Sequence, residues 1–158
     1  GGEHSLALTA DGSAWSWGDG DCGKLGHGDE QTQLLPKKIE AFAGRRVVAV
    51  SAGPGHSLAF TADGAAWSWG RGSDGRLGHG NAQFQLLPKK IEALAGVEAF
   101  AGRCVVAVSA GLLHSLALTA DGSAWSWGDG DCGQLGHGDE QTQLLPKKVE
   151  AFAGRCVV

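Results

Sequence analysis

The sequence predicts an all-β fold assembled from propeller-like blades. Three observations carry that expectation. One unit recurs: "HSLALTADGSAWSWG" begins at His4, a near copy begins at His56, and the first form returns at His114. A repeat of about 50 residues is characteristic of propeller blades. Glycine makes up 27 of 158 residues without a collagen period, so the chain turns often between short segments. Within each unit, apolar and polar residues alternate with the period of a strand.

The units lie 52 and then 58 residues apart. The extra six have a visible source, because "IEALAG" at Ile91 is followed by "VEAFAG" at Val97, an insert spanning 97–102. Residues 1–48 and 111–158 differ at only five places. The repeat units are therefore 11–62, 63–120 and 121–158, the last continued in pattern by 1–10. Residues 1–158 form a partial propeller of about three four-stranded blades.

Each element has a sequence reason. "VVAVSAG" from Val47 is a short β-branched strand. "HSLALT" places Leu6 and Leu8 on one face and Ser5, Ala7 and Thr9 on the other. Asp11-Gly12 then predicts a two-residue hairpin turn. "SAWSWG" puts Trp15 and Trp17 on one face, where they are expected to pack against the next blade. A Gly-rich loop leads to "LLPKKIEAF". Pro36 cannot donate to a ladder, so this segment is either an edge strand or a strand that Pro36 begins. "PKKIEAFAGR" allows one helical turn.

Composition narrows the function classes. The net charge is −4, from 13 Lys and Arg against 17 Asp and Glu, and no basic run exceeds two residues. Phosphate binding needs a basic patch, so no nucleic-acid partner is expected for this chain alone. No apolar run approaches membrane-spanning length, so no membrane partner is expected. Cys22, Cys104, Cys132 and Cys156 form no C-x-x-C pair. They are expected to be free thiols in a reducing compartment, cytoplasmic or nuclear. A chain that starts at Gly1 and holds no Met is expected to be a piece of something longer.

The stretch "GDGDCGKLGHGDE" (18–30) imitates three binding motifs. Its G-x-G-x-x-G lacks the following helix that a dinucleotide fingerprint requires. Its G-x-x-x-x-G-K ends in Leu25 where a P-loop needs Ser or Thr, and Lys24 becomes Arg76 and then Gln134. Its acids are not kept, since Asp19 becomes Arg71 and Asp21 becomes Ser73, so no metal is expected. No cofactor is expected either. His4, His56 and His114 form one register and His27, His79 and His137 another. Six equivalent histidines point to structural hydrogen bonds tying loops to strands, not to catalysis. An adjacent His–Ser pair on a strand points to opposite faces and makes no dyad.

The unit from Asp11 to Ala62 resembles the regulator of chromosome condensation repeat. The marks are the "DG" turn, "W-x-W-G", "G-x-L-G-x-G", the Pro before the last strand, and "A-G-x-x-H-S-L-A". The resemblance covers the whole chain and implies blades of a seven-bladed propeller. It also implies a non-enzymatic protein-interaction module. "WSWGDGDCGKLGHG" looks especially like the repeats of HERC-type ubiquitin ligases, which suggests a fragment of such a ligase or of a signalling protein. The alternative implied by the family is guanine-nucleotide exchange on a Ran-like small GTPase. A family motif for ultraviolet perception, G-W-R-H-T, has no match in "GGEHS", "GPGHS" or "GLLHS".

Residues that change between repeats are the candidates for partner binding. They are Asp19, Asp21 and Lys24; Arg71, Asp74, Arg76 and Phe84; and Asp129, Asp131 and Gln134. All are expected on the Gly-rich loops, where a rigid scaffold presents contacts. Phe84 stands where the other repeats have Thr32 and Thr142, which makes it an anchor candidate. A protein partner is expected. The isolated chain is expected to self-associate, because its end blades expose apolar faces.

Overall fold

The computed structural model describes residues 1–95, 105–155 and 157. The 97–102 insert, Cys104 and Cys156 lie outside the described residues. The fold is all-β, in three antiparallel sheets. Blade 1 holds β1 (His4–Leu8), β2 (Ala14–Gly18) and β3 (Gln33–Lys38). Blade 2 holds β4 (Val47–Ala52), β5 (His56–Thr61), β6 (Ala66–Gly70) and β7 (Gln85–Lys90). Blade 3 holds β8 (Val105–Ala110), β9 (His114–Thr119), β10 (Ala124–Gly128) and β11 (Gln143–Lys148). Blade 1 thus shows three strands among the described residues, with no counterpart of β4 or β8.

The strands pair in sequence order and in matching registers. Ser5 faces Trp17, Ser57 faces Trp69, and Ser115 faces Trp127. β3, β7 and β11 are edge strands, each containing the proline that cannot donate to a ladder. The single helical turn also forms, as Glu40–Phe42, as α1 (Glu92–Ala95) and as Glu150–Phe152. No helix among the described residues is long and apolar enough to cross a membrane.

The hairpin turn differs from the two-residue form. Asp11 does not adopt a positive φ; only Gly12 does, at 85°. The strands separate at Thr9 and Ser13, where Thr9 N–H donates to Ser13 O. The cause is the Asp11 carboxylate, which accepts bonds from Thr9 Oγ1, Ser13 N and Ser13 Oγ at 2.6–3.0 Å. This side-chain turn spreads over five residues and outcompetes the tight backbone turn. Those bonds hold the Asp11 carboxyl at about 2, well below its ordinary value.

The two cores lie in the seams between blades. Ala14, Ile39 and Phe42 meet Val47, Ala59 and Trp69 in the first seam. Leu58, Phe60, Ile91 and Leu94 meet Val105, Ala117 and Trp127 in the second. The tryptophans pack against the preceding blade, not the next one as the alternation suggested. Their face of each sheet turns toward the loop of the blade before. Trp69 and Trp127 are fully buried. Phe42, on the connector from blade 1, makes edge contacts with Trp67 and Trp69 at 5.6 and 5.8 Å.

Candidate protein-interaction site

The Gly-rich loop joins β2 to β3 and leans on the neighbouring blade. A Cβ on Gly26 would lie 2.8 Å from Trp69 Nε1, and one on Gly78 would lie 2.9 Å from Trp127 Nε1. Both glycines also have positive φ, 78° and 77°. Only glycine satisfies the turn and the close approach together.

Each seam is closed by one polar node. Ser57 Oγ donates to the Lys24 carbonyl at 2.8 Å, and Trp69 Nε1 donates to the same oxygen at 2.9 Å. His4 Nε2 lies 2.8 Å from Ser57 Oγ. The serine proton is already used, so His4 Nε2 carries the proton and donates. The second seam repeats the node: Ser115 Oγ and Trp127 Nε1 donate to the Arg76 carbonyl, and His56 Nε2 bonds Ser115 Oγ at 2.9 Å. His4 and His56 keep bare, buried Nδ1 atoms. Burial is the main force that lowers their pKa values, to about 4 and about 3. The Lys24 charge adds to it at His4, and Arg76 adds to it at His56.

The other histidine register ties each loop to its own blade. His27 Nε2 lies 2.9 Å from Ser16 Oγ, which donates to Leu25 O. His79 with Ser68 and His137 with Ser126 do the same. Five of the six histidines therefore have the structural role that their recurrence indicated, and His114 makes no such bond among the described residues. No group of three or more His, Cys, Asp or Glu side chains suited to a metal occurs among the described residues.

The structure divides the ten candidate residues. Lys24 and Arg76 are buried rather than displayed. Lys24 Nζ is paired with Asp19 and lies 3.6 Å from Glu3. Arg76 bonds Asp74, Ser73 O and Leu112 O. Lys24 helps hold the Asp19 carboxyl below its usual range, chiefly by hydrogen bonding. Gln134, half-buried, bonds Asp129 as Lys24 bonds Asp19. Asp21, Arg71, Asp74, Asp131 and Phe84 are exposed.

Across the first seam, Arg71 reaches Asp21 at 3.5 Å and donates to Cys22 Sγ at 3.3 and 3.4 Å. Burial pushes the Cys22 thiol up, which makes it a poor nucleophile. These groups border a hollow of about 240 Å3. It brings together four of the ten candidates: Asp21, Lys24, Arg71 and Arg76. Asp19, Asp74, Phe84, Asp129, Asp131 and Gln134 do not line it. Its other walls are Glu3, Cys22, Pro54, Gly55, Leu112 and Leu113. All ten lining residues occupy positions whose identity changes among the three repeats. The candidate set missed the pair before each histidine: Gly2-Glu3, Pro54-Gly55 and Leu112-Leu113. The signal was present, because that pair differs in every repeat.

The loop charges also differ. Blades 1 and 3 carry Asp19, Asp21, Asp29 and Glu30, and Asp129, Asp131, Asp139 and Glu140. Blade 2 carries Arg71 and Arg76 against Asp74. A basic loop therefore sits between two acidic ones.

The repeat marks now stand on a matching fold. The family model for the "Regulator of chromosome condensation (RCC1) repeat" matches residues 11–60, 63–118 and 121–158. The chain belongs to this repeat family. It is 44% identical to the human E3 ubiquitin-protein ligase HERC2 over 159 residues, which is 100% of this chain and 3% of that protein. It is 39% identical to the ultraviolet-B receptor UVR8 of Arabidopsis thaliana over 155 residues, 98% of this chain and 34% of the receptor. Among solved structures, Prp20p from Saccharomyces cerevisiae matches with a TM-score of 0.80 at 29% identity, over 96% of this chain and 37% of Prp20p. The chain is an RCC1-repeat interaction module similar to part of each of these longer proteins.

Proposed function

We propose that the chain recognises a protein partner at the hollow that the loops of all three blades border, as the recognition part of a HERC-like ubiquitin ligase. One observation carries the reading: every residue lining that hollow stands at a repeat position that varies. Residues common to all blades solve the packing of any blade. Residues that differ are free to encode a partner. Arg71 and the exposed Leu112 supply a charged and an apolar contact side by side, on loops held rigidly by the seam. The ligase context is supported by the identity with HERC2 along the whole chain. In this reading the chain binds in the cytoplasm or nucleus, and catalysis belongs to another part of the protein.

Capture experiments test the site. Arg71→Glu and Leu112→Asp are expected to abolish capture of the partner retained by the parent chain. Phe84→Ala, away from the hollow, is expected to retain it. The reverse pattern would move the site to the Phe84 loop and refute the hollow.

The likeness to Prp20p favours a second reading, since that protein's structure was described together with its binding properties to Gsp1p and histones. Here the chain would contribute to nucleotide exchange on a small GTPase. Release of a labelled nucleotide from a Ran-like GTPase, accelerated by the full protein, would establish this reading. No acceleration would end it.

A further inference from the structure

The three Gly-rich loops present an alternating order of charge on one face. The residue that follows β2, β6 or β10 donates its backbone N–H to the residue just before the histidine of its own blade. Asp19 bonds Glu3 O, Arg71 bonds Gly55 O and Asp129 bonds Leu113 O, at 2.9–3.0 Å. Glu3, Gly55 and Leu113 all wall the hollow. One backbone bond, made three times, therefore sets an acidic, a basic and an acidic loop side by side against it.

The order holds along the loops. The blade 3 loop has four carboxylates and no cation, because Gln134 stands where blades 1 and 2 have Lys24 and Arg76. Two of its carboxylates, Asp131 and Glu140, are exposed. The blade 1 loop sets four carboxylates against Lys24 alone. Inside the hollow the balance reverses, where Lys24, Arg71 and Arg76 stand against Glu3 and Asp21. The side chains of Lys24 and Arg76 are each 4% exposed and each is paired with a carboxylate of its own loop. The Arg71 side chain is 46% exposed, and its carboxylate neighbour is Asp21 of the blade 1 loop, at 3.5 Å. Of the three cations, Arg71 is the one within reach of a partner. Leu112 and Leu113 wall the hollow from the blade 3 side.

We infer that the partner's contact surface carries the complementary order: a carboxylate for Arg71, with an apolar side chain for Leu112, between basic groups for the loops of blades 1 and 3. The inference rests on the recognition reading of the hollow and adds the partner's chemistry to it. A uniformly basic partner would set a cation against Arg71. A uniformly acidic one would set its charge against the blade 3 loop, which has no cation to answer it. Like charges brought together across an interface penalise the wrong partner, so each is rejected at one place. The mixed order is accepted along the whole face.

Two short fluorescent peptides of identical composition and zero net charge test the order. One has lysines at both ends and glutamates around a central leucine. The other has glutamates at both ends and lysines around the leucine. Binding to the parent chain is read by fluorescence anisotropy at low salt. The peptide with basic ends is expected to bind at least about tenfold more tightly than its counterpart. Arg71→Glu is expected to abolish that preference, and Asp131→Lys to weaken the favoured peptide by about threefold. Both positions are exposed, so circular dichroism is expected to show the parental fold in each. Equal binding of the two peptides, binding of neither, or a preference that survives Arg71→Glu would overturn the inference. If Arg71→Glu and Leu112→Asp lose partner capture while the peptides bind alike, the hollow stands as the site and the charge order falls. If both variants keep capture, the hollow and the charge order fall together.

Discussion

The two filled seams and the outer face of blade 3 draw on matching repeat positions, and those positions differ sharply in burial. Leu58 in the second seam is 1% exposed, whereas Leu116, its repeat counterpart on the open face of blade 3, is 38% exposed. His4 and His56 are buried and bonded to the serine of the following blade; His114 makes no such bond among the described residues. Cys22 and Asp74, at the turns pressed onto the next blade, hold φ of 60° and 58°. They are the only non-glycine residues with positive φ among the described residues, and Cys132 in the uncovered loop is not among them. A blade is therefore an incomplete folding unit. Its side chains are placed for a neighbour, and the neighbour supplies the burial and the hydrogen bonds.

Tryptophan truncation should separate the two situations most. Trp69→Ala removes a fully buried indole and its bond to Lys24 O, and is expected to cost about 3–5 kcal/mol. Trp17→Ala removes a half-buried indole with no such bond, and is expected to cost less than half as much in the dilute monomer. Denaturant titration of both variants measures the contrast. Equal losses would contradict the equivalence of face and seam.

Acid should act on the filled seams next. The folded chain keeps His4 and His56 neutral, with values depressed from 6.5 to about 4 and about 3. Above pH 6.5 both states are unprotonated and these histidines add no pH dependence. Below it, the unfolded chain takes up protons first, so stability falls as pH drops toward the folded values. By pH 5 the loss is expected to be about 2 kcal/mol per buried histidine. The carboxylates with lowered values, such as Asp11, act only below about pH 4. Melting temperatures between pH 7 and 5 are expected to decline, and less steeply in His56→Gln.

Much of this was legible in the sequence. Repetition gave the blades, and the alternation in "HSLAL" gave opposite faces for His4 and Ser5; the proline left an edge strand and a strand start both open, and the structure has the edge strand. What it left hidden was the direction of each face. Period-2 alternation states that Trp15 and Trp17 share a side, but not which neighbour that side meets. Burial of Lys24 and Arg76 was hidden for a related reason. Their charged ends are paired within the loop, while their carbonyls receive the next blade. No pattern of side chains along the sequence announces a backbone acceptor. The hollow was hidden because its walls come from three separate repeats, and only their shared variability links them.

A smaller effect sharpens the comparison at the node. Ser57→Ala leaves the buried His4 Nε2–H and part of the Lys24 carbonyl unsatisfied, and is expected to cost about 1–3 kcal/mol. Ser5→Ala is expected to be neutral in the dilute monomer. Smallest of all, Arg71→Glu on the exposed loop is expected to change stability by no more than about 0.5 kcal/mol, while removing partner binding. A large stability loss there would make Arg71 part of the scaffold rather than of the recognition surface.

The most direct test of the seam account needs no substitution. Nuclear magnetic resonance of a dilute, 15N-labelled chain reports each of the six tryptophan indole N–H groups separately. The account predicts that the Trp69 and Trp127 indole protons exchange slowly with solvent, because each is buried and bonded to a carbonyl of the preceding blade. Trp17, at the same repeat position without a neighbour, is predicted to exchange quickly. Equal protection of all three in the monomer would contradict the claim that the neighbouring blade, and not the blade itself, holds these residues.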